Sequence, residues 1–386
     1  MTKLSSIVLA MAMFATSVQT SVGVGRAQAH RHHSPASHAT QGTAPPAVAP
    51  GPGSEPAVGQ PGTVTPNGPQ DGPSQPMRRP VDAPLPSAYR NIFYQPNALA
   101  QGSPILFTVE MAEPASRVSG RFLGKELSFF RGDKVNVWYA LAGADLESAP
   151  GRFQLSIAAT VPRKGIVKAT KEVDLAPGDF KMGSIEVPEN FVNPDEAGKR
   201  QIAADTALKA HAYAHLLPSP QWSGDFKKPV DAPSTPSFGM TRLLNEELTS
   251  QHRGTDFPVK EGSPVSAANA GTVVLAKEMF YEGNCIILDH GQHFFTTYMH
   301  LSRMDVKVGD RLKKGAPLGL TGATGRVTGP HLHMGVRWNG AYLDPVKLLA
   351  LTLPETAARS VEAAKVSDSS RKESASRRRP RRSVAR

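Results

Sequence analysis

From Ala88 to Leu353 the apolar residues fall in short alternating runs broken by glycine and proline. Only one stretch is long and regular enough for a helix. That texture confines the folded part of the chain to small β architectures. Between residues 88 and 193 the clearest runs are Ile105-Leu106-Phe107-Thr108-Val109, Leu127-Ser128-Phe129-Phe130, Val135-Asn136-Val137-Trp138-Tyr139 and Phe153-Gln154-Leu155-Ser156-Ile157. Turn signals at Arg131-Gly132-Asp133, Ala149-Pro150-Gly151 and Ala176-Pro177-Gly178 separate them. Strands at this interval read as an immunoglobulin-like β-sandwich. It carries no cluster of catalytic residue types, which makes it a positioning or binding module.

The helix is expected over residues 194–218 as a linker. Asp195 stands where it can cap the start, and Ile202, Thr206 or Ala207, Leu208 and Tyr213 recur near helical spacing. His211 and His215 are four apart, but no Glu completes a His-Glu-x-x-His pattern, so both read as surface residues. Residues 219–353 return to β texture, with strands expected at Val265–Leu275, Asn284–His290, Phe294–His300 and His331–Arg337. The chain therefore reads as mainly β.

The flanks differ. Lys3, the apolar run from Ile7 to Val18, and Ala27-Gln28-Ala29 are the three parts of a secretory signal over residues 1–29, so export and a mature start near His30 are expected. The run is short for a bilayer span, and no other segment is apolar enough to cross one. Residues 30–87 are rich in Pro, Gly, Ala, Ser and Thr; they cannot bury enough surface to offset ordering entropy and read as a flexible linker. Their clustered histidines, His30, His32, His33 and His38, read as solvated. Much of the net charge of +11 lies in the basic tail, 354–386. Without interleaved aromatics, and with an export signal, this tail suits anionic wall polymers or lipid headgroups better than nucleic acid, and a merely solvated tail better still. The single cysteine, Cys285, excludes an intramolecular disulfide and sits in an apolar run as a small buried hydrophobe.

Two short patterns carry chemistry: His252-Arg253-Gly254-Thr255-Asp256, and Gly329-Pro330-His331-Leu332-His333. Residues two apart on a strand share a face, so His331 and His333 point the same way. One imidazole can then bind a metal while the other reaches a substrate beside it. Two histidines and one aspartate leave the fourth tetrahedral position for water, the pattern of a catalytic zinc site rather than a closed structural one. Zinc draws the pKa of its water towards neutrality and polarises a carbonyl. Gly254 and the glycines around Thr324 are expected to allow positive φ and close backbone approach to substrate.

Further elements follow in order: Gly262-Ser263-Pro264-Val265, Gly283-Asn284, Leu288-Asp289-His290-Gly291, Tyr298-Met299-His300-Leu301, Val308-Gly309-Asp310, and Gly319 to His333. From about Phe238 to Pro345 the sequence resembles the lysostaphin-like, or LytM-domain, zinc metallopeptidases. The resemblance implies an antiparallel β peptidase domain with one zinc ion on His252, Asp256 and His333. It implies that His300 and His331 are cleft histidines for proton transfer and charge stabilisation, with either as base. Asn284 falls where the family lines its groove with Asn, and Tyr298, on the strand face of His300, is expected to line it too. His290 reads as structural. Arg242 stands at a spacing similar but not identical to a family Arg and receives no role. The implied function is a zinc metallo-endopeptidase of the periplasm or cell envelope, cutting stem or cross-bridge peptides of peptidoglycan by zinc-activated water. The alternative is an inactive LytM-domain activator of a cell-wall amidase. That route involves losing metal ligands, and every ligand is present here.

Overall fold

β-Branched and aromatic residues dominate the runs that become strands, and a computed structural model describes Pro84–Thr356. The signal, the clustered histidines, most of the 30–87 linker and the tail beyond Thr356 lie outside the described residues. Two sheets form the first part. One runs in the order Tyr89–Gln95, Pro104–Met111, Val137–Gly143, Phe130–Arg131; the other in the order Leu99–Ala100, Gly165–Ala176, Gly151–Val161, Arg117–Phe122, Lys125–Ser128. Alternation places Leu155, Ile157 and Ala159 inside while their neighbours stay more exposed. Phe107 of the first sheet meets Phe122 of the second edge to face, with ring centroids 5.2 Å apart.

The second part is a nine-stranded antiparallel sheet. Its main path is Thr255–Pro258, His331–Trp338, Phe294–Met304, Gly283–Asp289, Gly271–Met279, Arg311–Leu312. Its central strands are buried almost throughout rather than on alternate residues, because both faces are covered. Ile286 and Leu288 enter the main core, whereas Cys285, Ile287 and Phe295 face a second cluster with Ala212 of the helix. Burial pushes the Cys285 thiol far up, in keeping with an inert core residue.

The helix spans Glu196–Tyr213, and Asp195 caps it by accepting from the Gly198 N–H at 2.7 Å. It is more than a connector. Its buried residues are Gly198, Asp205 and Ala212, and Leu208, expected on an apolar stripe, is exposed. A polar anchor replaces the stripe: Asp205 accepts from the Phe280 N–H at 2.7 Å and from Gln201 Nε2 at 2.8 Å. Gly198 lets the helix close on the Phe280 ring, which lies 3.0 Å from where a Cβ would stand. No described helix is long and apolar enough to cross a membrane.

The first part also reaches the second directly. Met182–Ile185 pairs in parallel with Thr241–Leu244, which forms a hairpin with Leu248–Gln251. That hairpin delivers the chain to His252.

Candidate metal centre and cleft

The strand Thr255–Pro258 pairs with His331–Trp338 so that Asp256 lies opposite His333 and Pro258 opposite His331. Sheet register therefore joins two patterns some eighty residues apart in sequence, and His252 closes the group from the preceding turn. His252 Nε2, His333 Nδ1 and Asp256 Oδ1 converge. The two nitrogens are 2.9 Å apart, and the carboxylate oxygen is 2.9 Å from His333 and 3.1 Å from His252. All three residues are buried or nearly so.

The His252 tautomer follows from the backbone. His252 Nδ1 lies 2.8 Å from the Ser237 carbonyl, which can only accept, so that nitrogen carries the proton and Nε2 turns its lone pair inward. Zinc donors at ~2.0–2.1 Å in tetrahedral array stand roughly 3.3 Å apart. Three inward-facing donor atoms at nearly that spacing fit a zinc-sized cation. Burial would push the Asp256 carboxyl up, but the imidazoles of His252 and His333 outweigh it and hold it well below the usual carboxylate range. Burial also lowers the pKa of His333, favouring the neutral form that a metal requires.

Arg242, given no role from sequence, donates from Nη2 to Asp256 Oδ2 at 2.8 Å. It holds the oxygen that turns away from the histidines and so fixes the direction of the other. The sequence clue was its approximate spacing after Phe238-Gly239; the decisive contact depends on the hairpin.

His300 and His331 stand beside this group, their rings 4.9 Å apart. Each commits Nδ1–H to a backbone carbonyl at 2.8 Å, His300 to Thr324 and His331 to Gly329. Each is thereby left with an Nε2 lone pair. Burial, helped by the neighbouring imidazoles, pulls the His300 pKa down to about 3. His331 Nε2 is 3.6 Å from Asp256 Oδ1. The cleft they line is about 500 Å³ and also exposes Arg242, Met299 and Arg326.

Two expected cleft residues lie elsewhere. Tyr298 is fully buried, and its hydroxyl is held by the Ala268 N–H and by Thr296 in the core. Alternation breaks here because the strand bulges after Tyr298. His300 is left-handed at φ 63°, and Leu301 pairs with Asn284 while Tyr298 pairs with Ile286. Asn284 does not line the cleft; its amide donates to the Leu301 carbonyl at 2.9 Å. Thr324 Oγ1 donates to the same carbonyl, and the His300 N–H binds the Glu282 carbonyl. Asn284 thus holds the bulge that presents His300.

Gly254 also differs from expectation, because its φ is not positive. It is needed for space, since a Cβ there would lie 2.3 Å from His333 Nε2. Gly325 does take positive φ, 74°, as expected. His290 is structural: its ring nitrogens meet the Ala270 carbonyl and Thr296 Oγ1, and burial lowers its pKa to about 4. His211 and His215 form no pair, for His215 is bound to Asp289 at 2.6 Å.

Residues 250–345 match the model of Peptidase family M23. The chain carries an M23 (LytM-type) peptidase domain. Over this M23 domain the chain is similar to the peptidoglycan DD-endopeptidase ShyA of Vibrio cholerae, at 42% identity across 96 residues, 25% of this chain and 22% of that protein. ShyC of the same organism is 43% identical over 94 residues, 24% of this chain and 22% of its own length. The alignments therefore span less than a quarter of either relative. Among solved structures, a peptidase M23 candidate from Pseudomonas aeruginosa covers 65% of this chain and 94% of its own, at 29% identity and a TM-score of 0.48.

Proposed function

We propose that the chain is an exported zinc metallo-endopeptidase that hydrolyses peptide bonds in peptidoglycan stem or cross-bridge peptides. The observation that carries this reading is the convergence of His252, Asp256 and His333 on one point, with two further histidines offering free Nε2 atoms to the same cleft. Zinc held by those three side chains would supply Lewis-acid polarisation of the scissile carbonyl and an acidified water. Arg242 and the Ser237 carbonyl keep two of the three donors aimed. One of His300 and His331 takes a proton at Nε2 from the nucleophile and returns it to the leaving amine, while the other steadies the charge that develops on the carbonyl oxygen. Burial keeps the His300 ring neutral, with its Nε2 lone pair open to a proton. The substrate class is drawn from relatives described as peptidoglycan DD-endopeptidases.

The domain reading accompanies this function: an immunoglobulin-like sandwich at 88–193, a helix at 194–218 and the peptidase domain at 219–353. The facing Phe107 and Phe122, and the alternation along Gly151–Val161, support the sandwich. The periplasm or cell envelope is the compartment where such a substrate lies.

The test is to measure metal content of the purified full-length chain and to follow its action on purified sacculi by mass spectrometry. We expect close to one zinc per chain and cleaved peptide links. Zinc-loaded protein that leaves every link intact refutes the hydrolase; stimulation of a separate amidase by that protein would point to the activator instead.

A further inference from the structure

Next to the zinc cleft runs a second, larger space of about 940 Å³, and the two share Arg253, Glu282, Arg326 and His333 along their walls. The far wall is the helix Glu196–Tyr213, which lies outside the M23 match and contributes Lys209 and Tyr213. The groove is basic. Lys209, Arg253, Arg326 and Arg337 line it against one carboxylate, Glu282. Glu282 is already bound to Lys209, so three guanidiniums remain.

Those three are not equivalent. Arg253 also lies over a ring, 4.8 Å from Tyr342, but it is exposed and contacts Glu147 at 2.9 Å in a pair of the weak kind. Arg326 and Arg337 make no ion pair with a described carboxylate. Both are half-buried and stacked: Arg326 lies 4.5 Å from the Tyr281 ring, and Arg337 lies 4.2 Å from Tyr213 and 5.3 Å from Tyr342. Burial, with some contribution from Arg242, pulls the Arg326 pKa down and outweighs the opposing pull of Tyr281 and Glu282. Stacking holds each planar fork in place. A guanidinium preorganised in this way suits bidentate capture of a carboxylate.

Building on the hydrolase reading, we propose that this helix-walled groove is a specificity subsite for a free carboxylate on the peptide flanking the scissile bond, bound by Arg326 and Arg337. The enzyme then prefers peptides whose side-chain and terminal carboxyls are free over the same peptides amidated. The helix serves as a recognition wall, and its Tyr213 orients Arg337.

The experiment uses the zinc-loaded full-length chain and two synthetic cross-linked stem peptides that differ only in whether their carboxyls are free or amidated. The wild type should cleave the free form with kcat/KM about tenfold higher or more, carried by KM, because a hydrogen bond to a charged group is at stake. Arg337→Gln and Arg326→Gln should each collapse that ratio towards one by raising KM for the free form, with zinc retained. Arg337→Lys should restore only part of the ratio, since it keeps the charge and loses the fork. Calorimetric binding of an uncleaved single stem peptide, free against amidated, tests the groove independently of turnover and of any variant that folds poorly. Equal kcat/KM and equal binding for both forms by an active wild type overturns the subsite alone. Failure to cleave either peptide overturns the hydrolase reading, and calorimetry then still decides whether the groove takes a carboxylate.

Discussion

Gly254 lies between two of the proposed zinc ligands, and replacing it with alanine tests the metal centre through sterics alone. Its backbone is open to any L residue, because its φ is not positive. The obstacle is contact. An added Cβ would stand 2.3 Å from His333 Nε2, 2.6 Å from Cε1 and 2.5 Å from the Met334 carbonyl oxygen. Ordinary contact begins near 3.4 Å, so the shortfall against the ring is 3.4 less 2.3, or 1.1 Å. The Met334 carbonyl belongs to a strand paired on both sides and has little freedom to yield. His333 must therefore move by about an ångström, while its Nδ1 is tied at 2.9 Å to both Asp256 and His252. Overpacking of this size costs about 1–3 kcal/mol of stability. Misplacing a reacting group by ~1 Å costs on the order of 100-fold in rate. Gly254→Ala should melt lower, hold zinc less tightly against a chelator, and lose on the order of 100-fold in sacculus hydrolysis. Gly335→Ala is the control, since on the same strand its Cβ would meet nothing closer than 3.5 Å. A Gly254→Ala protein with full zinc and wild-type turnover would refute the reasoning.

Removing the Arg242 guanidinium frees Asp256 Oδ2, so Arg242→Leu should weaken zinc binding or activity by about 10–100-fold, as loss of an outer partner typically does. Competition with a zinc chelator measures it, and unchanged affinity together with unchanged rate would dismiss the positioning role. His300→Ala and His331→Ala should keep near-stoichiometric zinc yet lose about 100- to 10,000-fold in kcat; whichever variant loses its zinc belongs among the ligands instead. His290 is buried neutral, with its pKa held at about 4 against an ordinary 6.5. A depressed folded pKa means that its contribution is complete above pH 6.5 and lost as pH falls towards 4, by about 3 kcal/mol in all. Urea midpoints between pH 7 and pH 4 should fall less steeply in His290→Gln than in the wild type, and parallel curves would count against it.

Sequence exposed the local chemistry and concealed what depends on exceptions to periodicity. The His-x-x-x-Asp and His-x-His spacings were legible because strand geometry is regular there, and pairing Asp256 opposite His333 needed only the ordinary antiparallel register. Arg242 was harder, as its reach to Asp256 depends on a hairpin whose outer edge is completed by Met182–Ile185, a strand distant in sequence. The helix misled for a different reason. It docks through Gly198, Asp205 and Ala212, a small-and-polar seam with almost no hydrophobic signal, so the apolar residues at helical spacing marked the wrong face. Tyr298 shows the strongest case. Strict alternation puts Tyr298 and His300 on one face, yet Tyr298 is core while Met299 and His300, adjacent in sequence, both line the cleft. A regular strand cannot present two consecutive side chains to one space. The left-handed turn at His300 permits it, at a conformational cost that a histidine bears only when its surroundings impose it. Asn284, Thr324 and the Glu282 carbonyl impose it here. The residues that hold the bulge therefore fix where the Nε2 of His300 can stand, although none of the three need touch the peptide.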